Sequence, residues 1–199
     1  MNFDSALILA GGQSTRMGYD KKQLELAGAK VIDRLIAGLG SIFNEVLVSS
    51  NQTFINENVR VLMDGLGRGP LAGIYQGLIH CKSDYLYVIA CDMPFLSVEY
   101  IQYMRKTISA EAVDACIARR RDGFYEPFNS FFSKQCIPCI GDALTRQEYK
   151  IRPLLDKLNL HIIEPSTIDQ YKGDMFFNIN YIEDLERAES IMRGQLPQD

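Results

Sequence analysis

Leu7-Ile8-Leu9-Ala10-Gly11-Gly12-Gln13-Ser14-Thr15-Arg16-Met17-Gly18-Tyr19-Asp20-Lys21 changes character halfway along. Ala6 to Ala10 is a short apolar run of the length of a buried strand. It breaks into adjacent glycines, a serine and a threonine, with Arg16 and Lys21 behind them. Glycines lack a Cβ and let backbone N–H groups approach a ligand, and successive N–H groups form an anion-binding hollow. Arg16 offers a bidentate donor and Lys21 a mobile point charge. A strand, a glycine loop and two cations within reach are what a bound triphosphate requires. Two familiar glycine fingerprints do not fit. No Gly-Lys-Ser/Thr occurs, and the glycines are adjacent rather than spaced as GxGxxG.

Outward from this loop, the pattern alternates. Ile32, Leu35, Ile36, Leu39, Ile42 and Phe43 recur at helical spacing. Residues 45–49 and 59–63 read as strands. Asp64 opens a glycine-rich turn, and Pro70 suits the first turn of a helix reaching about Cys81. Residues 85–91 form a continuous apolar run, as in a parallel strand covered on both faces. Asp92 follows it, and Pro94 stops it. Ser97 suits the cap of a helix carrying Val98, Ile101, Met104 and Ile108. Residues 113–118 read as a strand, 125–133 as an extended aromatic-rich segment and 160–163 as a last strand. Ile151, Leu154, Leu155 and Leu158 suggest a short amphipathic helix. Asn180 reads as the N-cap of the closing helix.

Strands alternating with helices predict an α/β three-layer sandwich on a mostly parallel, open sheet, with a Rossmann-like nucleotide-binding half. With 199 residues, one domain is expected, with a looser rhythm from Arg119 onward. In such sheets ligands bind past the carboxyl ends of the strands. Gly11 and Gly12, Ser49 and Asn51, Asp64 and Asp92 all fall at such positions. Asp64, ahead of Gly65, also suits a plain turn. A carboxylate straight after the apolar 85–91 run would be costly to hold unpaired, and Mg²⁺ is a natural partner.

Composition narrows the classes of function. Net charge is −4, which argues against nucleic acid as a main partner. No apolar stretch approaches the roughly 18 residues of a membrane span, and no basic-then-apolar leader opens the chain. The five cysteines are an odd, scattered set, best accounted for as reduced thiols in a cytoplasmic protein. Cys136-Ile137-Pro138-Cys139 has CxxC spacing but no second pair, and it reads as a helix face. The Arg119–Arg121 run reads as a solvated turn.

The loop L-A-G-G-x-S-x-R-M-G-x-D-K resembles the signature of the molybdenum cofactor guanylyltransferases, the MobA family of nucleotidyltransferases. Cys91-Asp92-Met93-Pro94 is similar to the family's C-D-x-P, and Gly69 to Gly73 to its G-P-L-A-G. Tyr125-Glu126-Pro127-Phe128 looks like its E-P-L segment, Arg152 to Leu155 like R-x-L-L, and Phe177 to Asn180 like part of F-x-N-I-N. The resemblance implies a nucleotide-diphospho-sugar-transferase-like fold, with a nucleotide-binding half at about 1–118 and an acceptor-substrate half at about 119–199. It implies transfer of GMP from GTP to the terminal phosphate of molybdopterin, with Mg²⁺ on Asp92. Arg16, Lys21 and Asp92 would be catalytic. Leu9, Ala10, Gly11, Gly12, Ser14, Lys21, Asn51, Asp64 and Asp92 would hold the nucleotide, Asp64 through the guanine edge or the ribose. Glu126, Arg152, Asn178 and Asn180 would face the acceptor. Molybdoenzymes or their chaperones would be transient partners. Ser49 departs from an asparagine found in some relatives, and Asn51 could substitute. A cytidylyl- or sugar-phosphate nucleotidyltransferase, or a non-catalytic nucleotide-binding adaptor, are the competing readings.

Overall fold

The structure is a computed structural model, and it describes residues 1–11, 23–50, 56–63, 69–120, 123–164 and 173–194. The first apolar run becomes β1 (Ser5–Leu9), buried at every position. Both of its faces are covered, so its side chains divide by strand alternation. Ala6 and Ile8 join a core on one side of the sheet, and Leu7 and Leu9 a core on the other.

A small hairpin, β2 (Glu25–Leu26) and β3 (Ala29–Lys30), follows the glycine loop. Ala27 and Gly28 turn it, both with positive φ, at 49° and 75°. Next come α1 (Val31–Gly40), β4 (Glu45–Ser50) and β5 (Arg60–Met63). The apolar stripe predicted to reach Phe43 outlasts α1. Ile42 and Phe43 lie beyond its end, tied by their N–H groups to the Leu39 carbonyl at 2.9 and 2.8 Å. Then follow α2 (Gly69–His80), β6 (Tyr85–Ala90) and α3 (Val98–Ala110), the last capped by Ser97 Oγ accepting from Tyr100 N–H at 3.1 Å. The second half adds β7 (Ala115–Arg119), β8 (Tyr125–Ser133), α4 (Ile137–Thr145), α5 (Arg152–Leu155), β9 (Leu160–Ile163) and α6 (Ile182–Met192).

The main sheet has the order β5-β4-β1-β6-β8-β7-β9. Only β8 runs against the rest. The chain steps outward from β1 through β4 to β5, then returns to the other side of β1 as β6. The order therefore reverses between β1 and β6, where a parallel α/β sheet opens a crevice at its carboxyl edge. Helices α1 and α3 lie over one face, and α2, α4 and α5 over the other.

Glycines set how closely α2 approaches. A Cβ at Gly73 would come within 2.6 Å of Leu9 Cδ2 and 2.8 Å of Ser49 Oγ, and one at Gly77 within 2.7 Å of both Leu7 and Leu86. Two glycines one helical turn apart thus let the helix lie directly on β1 and its neighbours. Gly77→Val should cost about 1–3 kcal/mol through overpacking, or about 2–4 °C of Tm per kcal/mol for a chain of this size. Thermal denaturation checks this.

Candidate active site

Register aligns the strand ends. Leu9 lies between Ser49 on β4 and Ala90 on β6. The ladder continues past the strands, with Ala10 N–H donating to Ser49 O at 2.8 Å and Cys91 N–H to Leu9 O at 3.1 Å. Gly11 and Asp92 therefore leave adjacent strands on either side of the reversal. Gly11 is exposed, and among the described residues no atom beyond its chain neighbours lies within 4 Å of where its Cβ would stand. Asp92 is 7% exposed. Met93 N–H donates to Ala90 O at 3.1 Å and turns the chain immediately after β6. Gly12, Ser14, Arg16, Lys21, Asn51 and Asp64 lie outside the described residues.

The second half of the chain reaches the same edge. β8 enters it at Tyr125, because it runs opposite to β6. Glu126 is buried and pairs with Ala118 on β7. Arg152 is exposed, and its guanidinium stacks 4.6 Å from the centroid of Tyr125, joining α5 to the start of β8. Ile179 N–H donates to the Asp92 carbonyl at 2.9 Å. That bond brings the segment of Asn178 and Asn180 beside the candidate metal carboxylate. Asn178 is half-buried, with its Nδ2 on Phe176 O at 3.1 Å. Asn180 is exposed and does not cap α6. The N-cap is Tyr181, and the Asp184 carboxylate accepts from the N–H groups of Asn180 and Tyr181, each at 2.8 Å. The predicted cap was one residue early because the anchoring acid is Asp184 rather than Glu183.

Other sequence features resolve into structure. Ser49 is buried, and its hydroxyl side is pressed toward α2 at Gly73. Its carbonyl, which receives Ala10, is its link to the site. Arg119 pairs with Glu164, its Nε at 2.7 Å, and Arg120 N–H donates to Phe124 O at 2.8 Å. Cys136 is buried with Sγ on Asp114 O at 3.2 Å, and burial with the nearby Asp114 charge pushes its thiol up to about 12. Such a thiol carries negligible thiolate at neutral pH, so this CxxC is core packing. The histidines stand at the opposite edge. His80 O receives Arg60 at 3.2 Å, and His161 Nδ1 lies 3.3 Å from Glu111.

Asp92 is the described residue suited to a metal. Its hard carboxylate oxygens fit a hard divalent cation. Among the described residues no group of three or more His, Cys, Asp or Glu is placed to cage an ion. A cation here would complete its shell with phosphate oxygens and water, which is how Mg²⁺ binds in phosphoryl-transfer sites.

Gly11 and Asp92 flanking the reversal of the β5-β4-β1-β6 order, with the second half of the chain folded against the same edge, are the arrangement of a nucleotide-binding α/β fold. The signature described as a MobA-like NTP transferase domain matches residues 6–162, and the chain belongs to that family. It is 33% identical over 205 residues to a probable molybdenum cofactor guanylyltransferase of Peptoclostridium acidaminophilum, covering 98% of this chain and 92% of that one. It is 36% identical over 192 residues to the molybdenum cofactor guanylyltransferase of Syntrophotalea carbinolica, covering 94% and 91%. Among solved structures, molybdopterin-guanine dinucleotide biosynthesis protein A of Archaeoglobus fulgidus superposes with a TM-score of 0.82 at 25% identity, covering 96% of this chain and 99% of that one. The 2-C-methyl-D-erythritol 4-phosphate cytidylyltransferase of Thermus thermophilus shares the fold, with a TM-score of 0.69 at 14% identity over 94% and 98% of the two chains.

Proposed function

We propose that this enzyme transfers GMP from GTP to the terminal phosphate of molybdopterin and releases pyrophosphate. The observation that carries the proposal is the meeting of three segments at one edge: the Ala10–Gly11 exit of β1, Asp92 after β6, and residues 178–180 bonded through Ile179 N–H to Asp92 O. The first two suit a nucleoside triphosphate and its cation. The third belongs to the acceptor half.

The attacking atom would be a phosphate oxygen, ionised at neutral pH, so the protein need not supply a base. What it must supply is charge cancellation and alignment of two polyanions. Asp92 would hold Mg²⁺, which when bound supplies positive charge to the triphosphate oxygens. Lys21 and Arg16 would neutralise the departing pyrophosphate. The amides at Ala10 to Gly12 would hold the nucleotide. Glu126, Arg152 and Asn178 would orient the acceptor, with Arg152 preset by its stack on Tyr125.

Nucleotide preference tests the reading by thermal shift. At 100 times Kd a ligand adds about 2.7 kcal/mol, or about 5–10 °C at this chain length. GTP with Mg²⁺ should give the largest shift among the four nucleoside triphosphates, and a larger shift with CTP would favour a cytidylyltransferase. Gly11→Ala separates binding from folding. Its methyl group meets no described atom within 4 Å beyond its chain neighbours, so stability should hold within about 0.5 kcal/mol. The same methyl on the nucleotide-facing backbone should weaken GTP binding about 5- to 150-fold, the effect of about 1–3 kcal/mol of crowding. Calorimetric titration reads the difference.

A further inference from the structure

Residues 173–176 form a 3-10 turn that runs into the acceptor-facing 177–180 segment. What holds this stretch over the sheet edge is a buried polar chain that starts deep in the core. Tyr87 lies at the centre of β6 and is fully buried. Its hydroxyl donates to Asn129 Oδ1, and Asn129 Nδ2 donates to Met175 O at 2.9 Å. Burial raises the Tyr87 hydroxyl pKa far above its usual value, so it remains a donor. Asn129 is itself fully buried and has φ 59°, a left-handed conformation that asparagine tolerates better than most residues.

The backbone puts Asn129 there by breaking the ladder. On β7 the partners step from Ala118 to Cys116, while on β8 they jump from Glu126 to Phe131. The surplus residues form a bulge closed by Ser130 Oγ on Glu126 O at 3.0 Å and on Phe128 O at 3.3 Å. Ser130 then resumes pairing, opposite Val88 on β6. Pro127, which cannot donate to a ladder, stands inside the bulge. An uninterrupted strand would not present this side chain to Tyr87 and Met175 together. Bulges of this kind re-aim a side chain beside functional sites.

We infer that Asn129 is a positioning residue for the acceptor, clamping the 175–180 segment, and with it Asn178, against the Asp92 edge. The inference rests on the transfer reaction proposed above. The clamp acts at one end of the segment through Met175, and the bond from Ile179 N–H to Asp92 O acts at the other. Asp92 itself is held by β6 and the turn after it, so nucleotide and metal binding do not depend on the clamp.

Asn129→Gly removes the side chain and keeps the left-handed backbone accessible. Tyr87→Phe removes only the hydroxyl and guards against a variant that does not fold. Asn129→Gly should raise the acceptor KM about tenfold or more, the loss expected when a buried bonded pair is broken. GTP affinity should stay within about twofold, and Tyr87→Phe should move the acceptor KM in the same direction. Gly77→Val, on the opposite face of the sheet, is the control for general destabilisation and should leave the acceptor KM unchanged. Hydrogen exchange at the Ile179 amide should quicken in both clamp variants and not in the control. An unmoved acceptor KM, an equal rise in the control, or unchanged exchange at Ile179 would overturn the inference. If the wild type transfers no GMP, the function proposed above falls, and exchange at Ile179 still decides whether the clamp exists.

Discussion

Asp92→Asn should lower kcat/KM for GMP transfer by about 10³-fold, the scale of losing a principal electrostatic stabiliser, and leave Tm unchanged or slightly raised. The substitution is nearly isosteric in a buried position. It keeps the backbone carbonyl that receives Ile179 N–H and the turn made by Met93. What it removes is the negative charge that a divalent cation needs from the protein. Among the described residues no group of three or more His, Cys, Asp or Glu stands ready to take its place. Excess Mg²⁺ should therefore restore only part of the rate. Steady-state kinetics across a Mg²⁺ titration, paired with a melting curve, separates this from misfolding. Full activity at ordinary Mg²⁺ would remove Asp92 from the mechanism.

Lys21→Ala should reduce kcat by about 10²–10³-fold, with a smaller loss of GTP affinity. The barrier between two polyanions is repulsion. Two unit charges ~4 Å apart at an effective dielectric near 20 repel by about 4 kcal/mol, and several phosphate oxygens contribute at once. A cation matched to the leaving pyrophosphate matters more as that charge develops than in the bound ground state, so the deficit falls on kcat. Lys21→Arg should restore only part of the rate, because a planar fork does not replace a compact ammonium. Single-turnover measurements at saturating GTP isolate the chemical step. Equal losses in Kd and none in kcat would make Lys21 a binding residue alone.

The half of the site near β1 and β6 was legible because burial on both faces forces long apolar runs. Ala6 to Ala10 and Tyr85 to Cys91 announce their strands, and Gly11 and Asp92 mark their ends. The proposed acceptor half was legible as residues and not as geometry. Tyr125 to Ser133 reads as extended, but nothing local says that it runs antiparallel between two parallel strands. Its direction follows from long-range pairing. The stack of Arg152 on Tyr125 joins residues 27 positions apart, 152 less 125, and no spacing rule reaches that far. Asn129 carried one hint, the nearby Pro127, which signals a broken ladder. The β2–β3 hairpin, with two residues in each strand, is too short for alternation to register. Gly73 and Gly77 show the reverse case. Gly73 belongs to a stretch with a functional resemblance, yet its role in the fold is the contact of α2 with Leu9 and Ser49.

This edge of the sheet is proposed to join a guanine nucleotide to a pterin phosphate. The direct measurement mixes GTP labelled at its α-phosphate with molybdopterin, Mg²⁺ and the protein. The account predicts label in a molybdopterin guanine dinucleotide and pyrophosphate released in equal amount, with CTP a poor substitute. GTP that binds without releasing pyrophosphate, or CTP that transfers faster than GTP, would contradict it.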